Sequence, residues 1–254
     1  VFRNPMADPG IIGVSSGGAF GGVIAIYFGF AAIHAIFVPL LGFVMALITL
    51  IVVYAISTSH GKTSMMTLLL TGIAISSFLS SCTSLLISFS NAGVMQQIVQ
   101  WLMGNLNGRD WGDVKILVVP ILLSIILFLY YANDLDIFLL GEEQAQNMGI
   151  SVQRTRNTLL IVASLVTGIS VAMTGAIGFV GLIVPHMIRM IIGPTHRFLL
   201  LASALGGASF LIIADLISRL VIRPAEIQIG IVTAFFGAPF FIYLILKHKK
   251  QGEA

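Results

Sequence analysis

The chain has 254 residues, of which 57% are hydrophobic and only 9% charged, with thirteen Lys and Arg against ten Asp and Glu. A soluble domain carries about 25% charged residues, so this chain cannot cover a water-facing surface and lipid must be its main solvent. Its net charge of +3 is scattered over loops with no basic stripe and interleaved aromatics, which excludes a nucleic-acid surface, and the single Cys82 excludes an intrachain disulfide.

A bilayer crossing takes about 20 apolar residues, fewer for a helix packed among others. Eight such stretches are expected, at 10–29, 33–57, 65–89, 114–132, 157–174, 177–193, 198–221 and 227–246, giving an all-α polytopic bundle in one membrane domain over 1–254. No strand-like alternation of useful length, low-complexity tract or internal repeat interrupts them. The first residue is Val, and no charged n-region with a cleavage site follows, so no signal peptide is expected.

The first span opens with Gly13-Val14-Ser15-Ser16-Gly17. This fits G-x-S-x-G, but a nucleophile elbow needs a strand before it and a helix after it. Gly17/Gly21 and Gly18/Gly22 each have GxxxG spacing, which favours close helix packing. An intramembrane serine protease using His186 as base is the alternative. After the second span, Gly61-Lys62-Thr63 resembles the end of a P-loop, yet the glycine that should open the motif is replaced by Ile56. No ATP site of that kind is expected. The third span begins at Met65 and Met66.

Two longer polar loops, 90–113 and 133–156, fall on opposite faces. In the second, good helix formers from Glu142 to Met148 lie between Gly141 and Gly149, acids first. That pattern predicts a short polar helix against the membrane. It is either a solvated loop helix or a docking element for a partner. In the sixth span His186 follows Pro185 and shares a helix face with Arg189, three residues on. The pair either makes a structural contact at the interface or marks a hinge at Pro185, His186 and Arg189. In the seventh span Asp215 precedes Arg219 by four residues, the favourable acid-first order. They either neutralise one another near the interface or leave Arg219 presenting charge outward. The five histidines show no ligand spacing and no Cys pair accompanies them, so no metal site is expected.

Loop charge sets orientation. With Lys247, Lys249 and Lys250 in the cytoplasm, eight spans also place Arg3, Lys62, Arg154, Arg156, Arg189 and Arg197 there, against Arg109, Lys115, Arg219 and Arg223 outside. A multi-pass protein of the cytoplasmic membrane, with a cytoplasmic C-terminus, is expected.

An ordered set of segments resembles the permease subunits of ABC importers for siderophore-bound iron, haem and vitamin B12, the FecCD or BtuC-like family. These are Asn4-Pro5-Met6-Ala7-Asp8-Pro9-Gly10 running into Gly13–Gly17, Leu68–Gly72, Trp101–Gly104, Leu140–Gly149, Gly178–His186, Asp215 with Arg219, and Gly230–Pro239. The resemblance covers essentially the whole chain. It departs at Met6, where Leu is usual, and at Gln228, where Pro is usual. The family has ten spanning helices, and the first two are expected to be missing here.

The resemblance implies a transport subunit and not an enzyme, with no cofactor of its own; ATP and Mg are used by two separate cytoplasmic ATP-binding subunits. It implies a second permease subunit, identical or homologous, and a substrate-binding protein outside. It places Asn4, Met6, Met65 and Met66 at a cytoplasmic gate. It assigns Gly141, Glu142, Glu143, Ala145 and Gly149, within the coupling loop 133–156, to contact with the ATPase, and Arg219 to docking the binding protein. Small residues of the first span are compatible with lining the path. The alternative class is a secondary transporter or channel, which calls for an acidic coupling-ion site at mid-membrane.

Overall fold

The computed structural model describes residues 9–59 and 62–252. After a single 3-10 turn at Pro9–Ile12, the helices are α1 Val14–Tyr27, α2 Phe30–Ile33, α3 Phe37–Ser57, α4 Met65–Ser88, α5 Ala92–Leu102, α6 Trp111–Tyr130, α7 Ala132–Phe138, α8 Glu142–Asn147, α9 Val152–Thr174, α10 Val180–Ile192, α11 His196–Leu220 and α12 Ile229–Gly252. A two-residue hairpin, β1 Thr58–Ser59 and β2 Lys62–Thr63, pairs antiparallel with Thr58 opposite Thr63. The protein is an all-α membrane bundle. Five helices, α3, α4, α6, α9 and α11, are long and apolar enough to cross a membrane. The other three expected spans coincide with shorter apolar helices, Val14–Tyr27, Val180–Ile192 and Ile229–Tyr243.

Helix caps move several boundaries away from those the hydropathy predicts. Asp110 accepts from the amides of Gly112 (2.7 Å) and Asp113 (3.1 Å), while Asp113 accepts from the Asp110 amide (3.3 Å). This reciprocal cap starts α6 at Trp111, three residues before the apolar run. The stretch 90–113 is not simply a loop, because Asn91 accepts from the Val94 amide at 2.9 Å and starts α5. Ile98 is fully buried, and Val94, Trp101 and Leu102 pack around it with Val23 and Ile26 of α1. That spacing of apolar residues after a capping Asn was the sequence signal for this helix.

The core lies where α1 packs against α3 and α9. The glycines of α1 make this approach close. A Cβ on Gly17 would sit 2.9 Å from the Met45 carbonyl oxygen, one on Gly21 would meet the Leu41 carbonyl, and one on Gly18 would lie 3.1 Å from Val171. Gly22 lies against the Trp101 ring, whose indole N–H donates to the Ala19 carbonyl at 3.1 Å. The small residues of α1 are therefore used up in helix packing, as GxxxG spacing allows. Nine of the fourteen residues of α1 are buried.

Candidate functional site

The connections gather at two opposite ends. At one end lie β1 and β2, α7, α8 and the first turns of α9 and α11. Tyr54, at the end of α3, accepts from Asn157 of α9 at 2.8 Å, and Gln153 donates to Asn157 at 3.1 Å. Thr155 donates to Asp134 of α7 at 3.2 Å. Asp136 of α7 accepts from the His196 amide (2.8 Å) and contacts its ring Nδ1 (2.6 Å) at the start of α11. Arg156 of α9 pairs with Glu142 of α8 at 2.6 Å. Three side-chain ties thus bind the α7–α8 segment to two long helices.

Within that segment α8 has an inner and an outer face. Ala145 is fully buried, whereas Glu143, Gln144, Gln146, Asn147 and Met148 are exposed. Leu139 and Leu140, just before the helix, are exposed as well. The helix closes with two bonds, Gly149 N–H to the Gln146 carbonyl (2.9 Å) and Ile150 N–H to the Ala145 carbonyl (3.0 Å). With Gly149 at φ +83°, this is a Schellman close. It presents a rigid polar knob with an apolar rim.

At the other end, Asp215 and Arg219 form a bidentate pair, Nε to Oδ2 at 2.8 Å and Nη2 to Oδ1 at 3.2 Å. Such a fork fixes the guanidinium plane as well as its charge. The Arg219 side chain remains 41% exposed. Nearby, Asn107 donates to Glu226, and the Gly230 amide donates to the Met103 carbonyl at 3.0 Å. The Asn105 amide donates to the Thr174 carbonyl at 2.8 Å.

Beneath these contacts the backbone leaves helical form from Gly175 to Phe179. Ala176 lies against Gly230, and Phe179 against Gly237, seven residues further along α12. Seven helical residues rise about 10 Å, so the irregular segment descends that far beside α12. Backbone of this kind persists at membrane depth only inside protein or beside a cavity. Here it borders an apolar cleft of about 550 Å³, lined by Leu102, Met103, Ala176, Phe179, Ile231 and Phe235 among others. Phe179 itself takes φ +68°, an uncommon conformation for a bulky residue, and its ring root is wedged against Gly237.

The expected site residues are dispersed over this frame. Asn4 and Met6 lie outside the described residues. Met65 packs against the core formed by Ile12, Val14, Val53 and Leu68, while its neighbour Met66 is 72% exposed. Pro185, His186 and Arg189 are half-buried on α10, which continues as a helix through Pro185. Gly141, Glu142, Glu143, Ala145 and Gly149 do come together on and around α8. Among them Ala145 faces the core, Glu142 pairs with Arg156 while its own side chain stays 39% exposed, and Glu143 faces out. The sequence reading treated Arg156 only as a topology charge; the structure buries it, with 8% exposed.

A family model described as the FecCD transport family matches residues 1–247. The chain belongs to that family. FecCD members are transport permease subunits of ABC importers, in which ATP hydrolysis lies in separate subunits. The cobalamin import system permease protein BtuC of Halobacterium salinarum is 46% identical over 244 residues, covering 96% of this chain and 65% of that protein. The hemin transport system permease protein HmuU of Yersinia pestis is 37% identical, covering 99% and 76%. The Fe(3+) dicitrate transport system permease protein FecD of Escherichia coli is 38% identical, covering 97% and 76%. A solved inward-facing conformation of a metal-chelate type ABC transporter superposes with TM-score 0.89 at 35% identity, covering 97% of this chain and 78% of that one. The present chain therefore spans about two thirds to three quarters of these FecCD relatives.

Proposed function

We propose that this chain is the transmembrane permease subunit of an ATP-driven importer for an iron chelate, haem or corrinoid. The relatives named for cobalamin, hemin and ferric dicitrate support that cargo class. The observation that carries the mechanism is α8, a short helix with a polar, solvent-exposed face, held against α7 and α9, with α7 in turn tied to α11. It offers a docking surface for an ATP-binding subunit. Two such subunits, using ATP and Mg, act on a pair of permease subunits, and a binding protein delivers cargo at the opposite end. Loop 133–156 works as the coupling loop of one transmembrane domain. Met65, Met66, Asn4 and Met6 belong to the gate, and Pro185, His186 and Arg189 to a hinge. The path runs beside α4, whose exposed Ser77, Ser81, Ser84 and Ser88 recur at helical spacing on one face. A coupling-ion site is disfavoured, because Asp215 is already neutralised by Arg219.

The α8 end is assigned to the cytoplasm by the excess of Lys and Arg there. Every bond described above between connecting segments joins segments that eight alternating crossings place at one end. Arg109 and Arg154 are exposed at opposite ends. In a Cys82→Ser background, Arg109→Cys should label from outside and Arg154→Cys from inside. Labelling of both from the same side would overturn the topology.

The import function is tested by reconstituting the complete permease with its ATPase and binding protein and measuring ATP-dependent uptake of labelled cobalamin, hemin and ferric dicitrate. Uptake of none would remove the cargo class. Arg219→Glu in that complex should weaken binding-protein association by about tenfold or more and reduce its salt dependence, since charge complementarity governs encounter and register. A compensating acid-to-Arg change on the partner should recover part of the loss. Unchanged association would leave Arg219 as the internal partner of Asp215 alone.

A further inference from the structure

Glu142 and Arg156 have a different relation from the one the resemblance implies. We infer that Arg156 is a positioning residue, and that the role of Glu142 in coupling is to hold Arg156 beneath α8. The inference rests on the reading of α8 as the ATPase docking element and states how a displacement there reaches the membrane core.

Arg156 lies in the second turn of α9, close to the aqueous end of the bundle. An arginine serving only as a topology charge would extend its stem and leave its head in water. This one is turned under α8, with its side chain 10% exposed and Nη2 2.6 Å from Glu142 Oε1. Its Nε is buried with no hydrogen-bond partner among the described residues. Burial of a guanidinium is tolerated when a paired carboxylate offsets the lost hydration, and Glu142 supplies it. Glu142 lies three residues before the fully buried Ala145, so the two share a side of α8, with Glu142 at its edge and its side chain 39% exposed. The outer face is left to residues such as Met148.

The neighbouring residue on α9, Thr155, holds Asp134 of α7 at 3.2 Å. The start of α9 therefore grips the segment both before and at α8. From there α9 packs along α3 and α1, the close-packed glycine core. A force on the outer face of α8 is passed through the ion pair to α9 and then to that core, because packed helices shift as rigid bodies between discrete arrangements. Without the pair, α8 can still meet its partner but swings independently of α9.

The test uses the complete importer in proteoliposomes with three readouts: ATPase-subunit association, stimulation of ATP hydrolysis by the binding protein, and thermal stability of the assembled complex. Arg156→Ala should change association less than about threefold yet lower stimulation about tenfold, within the usual range of coupling between sites. Glu142→Ala should do the same. The double variant should be no worse than either single one, as expected for residues acting through one interaction. Arg156→Lys should keep part of the stimulation. If Arg156→Ala fails to assemble, the reversed pair, Arg156→Glu with Glu142→Arg, must restore both assembly and stimulation. Additive losses, unaltered stimulation in an assembled Arg156→Ala complex, or no recovery in the reversed pair would overturn the inference. Met148→Asp separates this outcome from failure of the docking reading. It should weaken association about tenfold, as loss of a buried apolar anchor does. Unchanged association in Met148→Asp refutes docking at α8; an effect there with normal stimulation in both Arg156→Ala and Glu142→Ala refutes the positioning role alone.

Discussion

Gly21→Val is expected to abolish stable folding of the permease. The first side-chain carbon would collide with the Leu41 carbonyl and lie 2.7 Å from Gly42 Cα. Both obstacles are backbone of α3, so neither can rotate away. Separating α1 from α3 by the width of even one methyl would also loosen Gly17 against Met45 and Gly42 against the Gly18 carbonyl, which share the seam. Overpacking at such a site costs roughly 3 kcal/mol or more, about a hundredfold in the folded-to-unfolded ratio. Size-exclusion profiles and thermal melting of the detergent-solubilised, complete permease measure it. Gly207→Ala is the matching control. A Cβ there meets only Val180 Cγ1 at 3.9 Å, and the change raises helix propensity by about 1 kcal/mol. A monodisperse Gly21→Val protein with wild-type melting would show that the α1–α3 seam is looser than the structure has it.

Gly149→Val should uncouple the importer while leaving its fold intact. Nothing lies within 4 Å of a Cβ built there, so the damage is not a clash with a neighbour. It arises because φ +83° is a left-handed conformation that costs an L residue roughly 1–2 kcal/mol, and a β-branched residue is among the worst suited to it. Relief of that strain breaks the bonds from Gly149 and Ile150 to Gln146 and Ala145, and the last turn of α8 with Met148, 61% exposed, loses its set position. ATPase association and import should fall about tenfold, the equivalent of that strain, with little change in melting temperature. Gly149→Asn, which tolerates positive φ, should retain most of the activity. Unchanged transport and ATPase stimulation in Gly149→Val would overturn the assignment of α8 to coupling.

Much of α8 was legible before any coordinates. The two bounding glycines, the acids at its start and the helix formers between them follow from local chemistry, and local chemistry is all a short, solvent-bordered helix consults. The burial of Arg156 is not legible for the converse reason. It depends on pairing with Glu142, fourteen residues away, and a count of loop charges carries no information about which cation is turned inward. Likewise α9 begins at Val152, five residues before its predicted start. Hydropathy rejects Gln153, Arg154 and Arg156, while the fold keeps this turn helical with Arg156 paired to Glu142, Thr155 to Asp134, and Gln153 to Asn157, which in turn donates to Tyr54.

By itself the amino-acid order determined that lipid is the solvent, that eight apolar helices follow one another along the chain, and that the motifs lie in the order of a FecCD permease. Those properties are sums over neighbouring residues: hydropathy over about 20 positions, charge over each loop, and capping over a single turn. Only the tertiary structure decided that α1 is the centre of packing, that 175–179 descends beside α12, and that Glu142 turns towards Arg156. Each of these is a pairing between distant segments. In a bilayer such pairings are selected by close van der Waals fit and by satisfaction of polar groups, and one apolar helix offers no linear signal of which other helix will meet its glycines.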